Sequence, residues 1–275
     1  MLKVITLLLT AAAFPLFSGE TARDIVDRSV KLDFRNQDVL RDYTFNILAQ
    51  STEFDSAGGV KAVHSKLEEV MYFGGKAHNR LIAKDGKPLP AGEEKKEQAK
   101  VNSAALEASR LSEDEAKKRE EASRRERLKK RDEQWDIPHA FNFAIVGEPL
   151  LNGRPTWQIT AEPRPDYKGR NGGVLRNLRA TFWIDKQDLQ WVKIEAETLD
   201  TISFGLFIAR IAKGAVLTFE AQRINDEVWA PSHVYVKGAA RVALMKKLNL
   251  EETMTFSDYK KFRASATIIS TAEPK

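Results

Sequence analysis

The sequence predicts a mainly β fold with added helices. About eleven strands form a long antiparallel sheet that curls, with one N-terminal helix and one inserted helical pair. Three observations carry this. Residues 178–198 alternate with period two on both sides of a polar break, with Leu178, Ala180, Phe182 and Ile184 on one face. Turn-forming pairs recur between such segments: Gly74-Gly75, Asp85-Gly86, Asn152-Gly153 and Asn225-Asp226. A single block, residues 92–134, breaks the pattern with dense Glu, Lys, Arg and Ala.

Taken in order, residues 20–32 read as a helix. Thr21 is its cap, Asp24 suits its first turn, and Ile25, Val26, Ser29, Val30 and Leu32 form a narrow stripe. Residues 42–50 are the first strand, with Tyr43, Phe45, Ile47 and Ala49 on one face. Residues 66–73 and 76–84 form a hairpin over Gly74-Gly75, and Pro88 ends ladder pairing. Within 92–134, Ser112 followed by Glu115 is a capping box, which divides the block into two helices. The second begins Glu113-Asp114-Glu115 and ends in basic residues, an order that complements the helix dipole. Acidic and basic residues are interleaved along it. The pattern is that of a solvated insertion supported by i,i+4 pairs rather than a basic arm for nucleic acid.

Strands resume at 139–146, with Phe141, Phe143 and Ile145 inward, and at 156–162, with Trp157, Ile159 and Ala161 on one face. In the hairpin 178–198, Val192, Ile194 and Ala196 share the buried side, and Trp183 and Trp191 fall on the polar side. There the two tryptophans would form a cross-strand pair or cover a helix. Residues 202–211 do not alternate cleanly: a strand, a short helix and an apolar flap all remain open. Residues 215–222 and 228–237 are strands, and Pro231 marks an edge or a bulge. Residues 241–256, apolar at even positions, fit one long strand or two collinear ones, with a helix over 242–250 as the competing reading.

Composition narrows the function classes. The 275 residues contain 44 Lys and Arg against 39 Asp and Glu, an excess of five that gives no case for nucleic acid. The absence of cysteine removes disulfides, thiol nucleophiles, thiolate metal sites and a lipidated N-terminal cysteine. Lys3 and the apolar stretch 4–17 have the form of an export signal, too short for a comfortable membrane span. An uncleaved anchor and a buried helix are the alternatives. The expectation is a cleaved signal over 1–19, one domain over 20–275 and a periplasmic location.

The strand and turn patterns resemble a known family. The segments are Phe141-Asn-Phe-Ala-Ile-Val-Gly-Glu148, Gly153-Arg-Pro-Thr-Trp157, Thr181-Phe-Trp-Ile-Asp185, Trp191-Val-Lys-Ile194 and Val228-Trp-Ala-Pro231. Their order and texture are similar to the periplasmic lipoprotein carriers LolA and LolB and the related RseB-type sensor domain. The resemblance spans about 20–262, apart from the charged insertion, which departs from the short forms of the pattern. It implies an unclosed antiparallel β half-barrel whose helices lid an apolar cavity for acyl chains.

No catalytic signature accompanies it. His64, His78, His139 and His233 are scattered with no metal-ligand spacing. There is no Gly-x-Ser-x-Gly elbow and no phosphate loop. Glu195 and Glu197 share a strand face beside Lys193, as a solvated ladder would. The expectation is a non-enzymatic carrier without cofactor or metal, binding lipid or lipoprotein acyl chains. The lining residues would be Phe182, Ile184, Val192 and Ile194, with Phe204 and Phe207 as a flap. The alternative is an envelope sensory or scaffold module that binds a partner protein through the charged insertion. An enzyme is the third class.

Overall fold

The computed structural model describes residues 20–55, 57–204, 209–242 and 246–262. The export-signal segment and Phe207 lie outside these residues. The first helix, α1 (Ala22–Leu40), starts on Thr21, whose hydroxyl accepts from the Asp24 N–H while the Asp24 carboxylate reaches back to the cap. It runs past the expected end at Leu32 to Leu40. Then come β1 (Tyr43–Phe54), β2 (Val60–Phe73), β3 (Lys76–Lys84) and the short β4 (Lys87–Pro88). The charged block forms α2 (Ala91–Ser109) and α3 (Glu113–Gln134), and Ser112 and Glu115 make the capping box the sequence shows. After α4 (Ile137–Ala140) come β5 (Phe141–Gly147), β6 (Leu150–Leu151), β7 (Arg154–Pro163) and α5 (Gly172–Leu175). The remainder is β8 (Leu178–Asp185), β9 (Trp191–Thr198), β10 (Ile202–Phe204), β11 (Ala209–Ile211), β12 (Val216–Ile224), β13 (Val228–Val242) and β14 (Lys246–Lys261).

Among the described residues there are fourteen strands, all pairing antiparallel; eleven follow the order β4-β3-β2-β1-β14-β13-β12-β9-β8-β7-β5, while β6 pairs with β7, β10 with β11, and β11 with β13. The two end strands do not meet, so the sheet is open. The three beyond the expected eleven are β4, β6 and the division of 202–211 into β10 and β11, all pieces of two or three residues too short to show a period. All four turn pairs read from the sequence have positive φ at both residues, as tight hairpins require.

Two expectations are corrected, and the open reading of 202–211 is resolved toward strand. Residues 241–256 are neither one strand nor a helix. The chain reverses between β13 and β14, with Val242 opposite Lys246. Within 202–211, residues 202–204 and 209–211 are two short paired strands, with Phe204 opposite Ala209. Trp191 lies on the buried side, not the polar one. Trp183 pairs with Lys193, but Ile184 pairs with Trp191, leaving Val192 as an extra residue. The bulge brings the indole into the core while Trp183 stays outside, beneath Lys193 at 5.3 Å.

The sheet has one apolar and one polar face. Ile159, Phe182, Ile194, Phe219, Val234, Met254 and Ala49 are successive register partners across seven strands. One position along, Gln158, Trp183, Lys193, Glu220, His233 and Thr255 form the matching outer row. Directly opposed residues share a face, so the inner row is a continuous apolar wall. A buried ion pair fixes the β8–β9 turn. Arg154 Nε and Nη2 donate to Asp185 at 2.6 and 2.9 Å, and Asp185 also accepts from the Gln187 and Asp188 backbone. Burial pushes the Asp185 carboxyl up, but the Arg154 and backbone bonds outweigh it and hold the group below its usual range.

The helical insertion connects opposite edges of the sheet, from β4 to β5. On the way, α2 covers the edge of β3: Glu97 accepts from the Leu81 N–H and Lys100 donates to the Asn79 carbonyl. Arg127 and Glu120 pair within α3, and both also reach other elements. Glu120 bonds Arg41, Arg127 meets Asp38, and Trp135 stacks on Phe34 at 6.2 Å. The insertion is therefore packed beside α1.

Candidate functional site

Over its first half, α1 fills the concave face. Ile25, Val26 and Val30 join Ile159, Ala161, Ala180, Phe182 and Ile184 in one buried cluster. At its end, the Trp191 indole N–H donates to Ser29 Oγ at 2.8 Å. Ser29 Oγ in turn donates a hydrogen bond to the Val26 carbonyl, so no polar atom is stranded there.

Beyond Val30 the helix stands off the sheet and leaves a cavity of about 380 Å³. Its wall includes Trp191, Ile194, Phe219 and Trp229 from the strands, with Asp33 and Gln190 as polar members. Asn36 ties the far end of the helix to β13. Its amide donates to the Trp229 carbonyl at 2.5 Å and its oxygen accepts from the Trp229 N–H at 2.7 Å. Asp33 sits one turn after Ser29 and just before Asn36, on the same helical face. Gln37 donates to Asp33 Oδ2 at 2.5 Å, and burial pushes the Asp33 carboxyl up to about 6.

Gln190 is only 7% exposed, and its side-chain amide makes no hydrogen bond among the described residues. Its orientation follows from its neighbour. Leu189 is buried and holds a φ of 53°, which is rare for a branched side chain outside a turn that requires it. The Leu189 N–H donates to the Asp185 carbonyl, and the Asp185 N–H to the Gln190 carbonyl, so the ion-paired turn fixes where Gln190 starts.

The residues expected to line a cavity are dispersed. Ile194 lies on its wall. Phe182 and Ile184 are buried beneath the first half of α1. Val192, the bulge residue, packs with Ala221 and Trp229. Phe204 is the last residue of β10, and Phe207 lies outside the described residues. Sequence reasoning missed Asp33, Gln190, Phe219 and Trp229. A signal for the first existed: the apolar stripe of α1 stops at Leu32, and Asp33, Asn36 and Gln37 follow on the inward face. Among the described residues, no group of three or more His, Asp or Glu side chains could hold a metal ion. None of the described helices is long and apolar enough to cross a membrane.

No family model matches this chain, and no curated protein does. Solved structures do show similarity. A domain of an outer membrane lipoprotein-sorting protein from Vibrio parahaemolyticus aligns over 88% of this chain and 95% of its own, at 11% identity and a TM-score of 0.36. A LolA superfamily protein from Nitrosomonas europaea aligns over 88% and 94%, at 7% identity and a TM-score of 0.32. The MucA/MucB complex of Pseudomonas aeruginosa contains a chain that aligns over 84% of this one and 94% of its own, at 10% identity and a TM-score of 0.22. The chemistry of the cavity rests on its own residues.

Proposed function

We propose that this chain is a non-enzymatic binder or carrier of acyl chains, from lipids or lipoproteins, acting in the periplasm. The observation that supports it is the inner apolar row. Its first members are sealed by α1, Ile194 and Phe219 open into the cavity, and Val234, Met254 and Ala49 continue the wall while only half-buried. A chain lying along this row would exchange water for Ile, Phe, Val and Met contacts at about 0.8 kcal/mol per methylene. The cavity volume falls in the range of small-molecule sites, roughly 300–1,000 Å³.

The test is uptake of a neutral fluorescent dye, N-phenyl-1-naphthylamine, and its displacement by decanol. Wild-type protein is expected to bind both, and Ile194→Trp, which fills the cavity, should lose at least about tenfold in affinity for each. A folded wild-type protein that takes up neither, and from which mass spectrometry extracts no lipid, ends this reading.

A second reading rests on the outward face of α3. There Lys117, Lys118, Glu121 and Arg125 are exposed and make no ion pair among the described residues. A partner protein in the envelope would dock on them. Reversing the three basic charges should abolish capture of such a partner and leave dye uptake unchanged. Because α2 and α3 bridge opposite sheet edges, this variant separates the readings more cleanly than deletion of the insertion.

A further inference from the structure

The cavity holds two polar groups with spare hydrogen-bonding capacity and no cation. Of the Asp33 carboxylate, Oδ2 is taken by Gln37, and no salt bridge involves the residue among those described. Gln190, a residue more than nine-tenths buried, borders the same space, and its side-chain amide makes no hydrogen bond among the described residues. Other polar side chains nearby are engaged: Gln37 gives its amide N–H to Asp33. Asn36 is used at both ends by the Trp229 backbone, and Asp188 binds the Trp229 indole, Arg154 and Arg223.

The groups facing Asp33 from the packed strands are Trp191 and Ile194 of β9, Phe219 and Ala221 of β12, and Trp229, Ala230 and Pro231 of β13, all uncharged. Arg124, Arg127 and Arg131 of α3 line a separate cleft on the other side of Gln37, with Phe34 and Asp38. None of the three pairs with Asp33, and Arg127 is already held by Asp38 and Glu120.

We infer that Asp33 and Gln190 make this cavity selective for the head of its ligand. It takes an aliphatic chain ending in a hydrogen-bond-donating head, an amine foremost and a hydroxyl next, and rejects a chain ending in an anion. This rests on the binding function proposed above. The physical reason is direct. A partly buried carboxylate facing apolar side chains stabilises a cation or an N–H or O–H donor, and repels a sulfate or phosphate that cannot bring its own counter-charge. The Gln190 amide satisfies the remaining lone pair or proton of such a head. Because burial raises the Asp33 carboxyl to about 6, selectivity is present at neutral pH and fades as the group takes up a proton.

The experiment compares decylamine, decanol and decyl sulfate as displacers of bound N-phenyl-1-naphthylamine, below their aggregation concentrations. Amine and sulfate keep their charges throughout the range used. At pH 7.5 the amine is expected to bind at least about tenfold more tightly than the sulfate, with the alcohol between. With each affinity expressed relative to that of the dye in the same protein, Asp33→Asn should bring the two charged heads within about threefold, and wild type at pH 5 should behave like that variant. Gln190→Leu, which leaves Asp33 in place, should weaken the alcohol several-fold relative to the dye. If the dye binds and all three heads are equal in wild type, or the preference survives Asp33→Asn, the selectivity is refuted and the binding function stands. If neither dye nor any chain binds, both fall together.

Discussion

Burial raises the Asp33 carboxyl to about 6, with the Gln37 amide pulling it down less strongly. The sign of its effect on folding follows. Between about pH 4 and 6 the folded chain holds this proton and the unfolded chain does not, so stability falls as pH rises through that window. At pH 7.5 the ionised group costs about 2 kcal/mol, allowing for its partial contact with solvent. Asp33→Asn should therefore raise stability by that order at pH 7.5, and the gain should vanish near pH 4, as read by urea unfolding at both values. No gain at pH 7.5, or one that grows on acidification, contradicts it. Retaining a residue at such a cost fits a site tuned for a ligand rather than for stability. This residue was legible only in hindsight. A carboxylate at the end of an apolar stripe looks like the end of a buried helix, and only the strands opposite it distinguish a cavity from solvent.

At the scale of elements, α1 is one helix with two mechanical halves. The first is held by apolar packing against β7 and β8, the second mainly by Asn36 on the Trp229 backbone. Asn36→Leu strands a backbone N–H and carbonyl and should cost about 1–3 kcal/mol. Its distinctive consequence is local. Amide exchange should accelerate over 33–40 and stay slow over 22–30, which hydrogen-exchange mass spectrometry resolves. Uniform acceleration would mean that the helix opens as one unit. The capped starts of α1 and α3 were readable because they depend on residues three apart in sequence. The end of α1 was not, because it depends on contacts with β13, nearly two hundred positions away. The bulge at Val192 was equally hidden: alternation continues through it in the sequence while the register slips by one.

Over the whole molecule the inner row runs from Ile159 to Ala49, far beyond the cavity. A ligand longer than the cavity would therefore continue onto Val234 and Met254. Affinity for primary alcohols should rise about fourfold per added methylene from hexanol to decanol. Met254→Asp should flatten that slope for the longer chains and leave hexanol unaffected. A slope that is flat in wild type, or unchanged in the variant, would confine binding to the space under α1. The sequence by itself determined the strands, their turns, the two capped helices and the apolar content of the row, because period, turn chemistry and capping are local properties of the chain. Only the tertiary structure decided which part of that row is covered. Coverage depends on where α1 crosses the sheet, on a one-residue slip that moves Trp191 inward, and on an insertion that bridges two distant edges. Each of these joins residues that the chain keeps far apart.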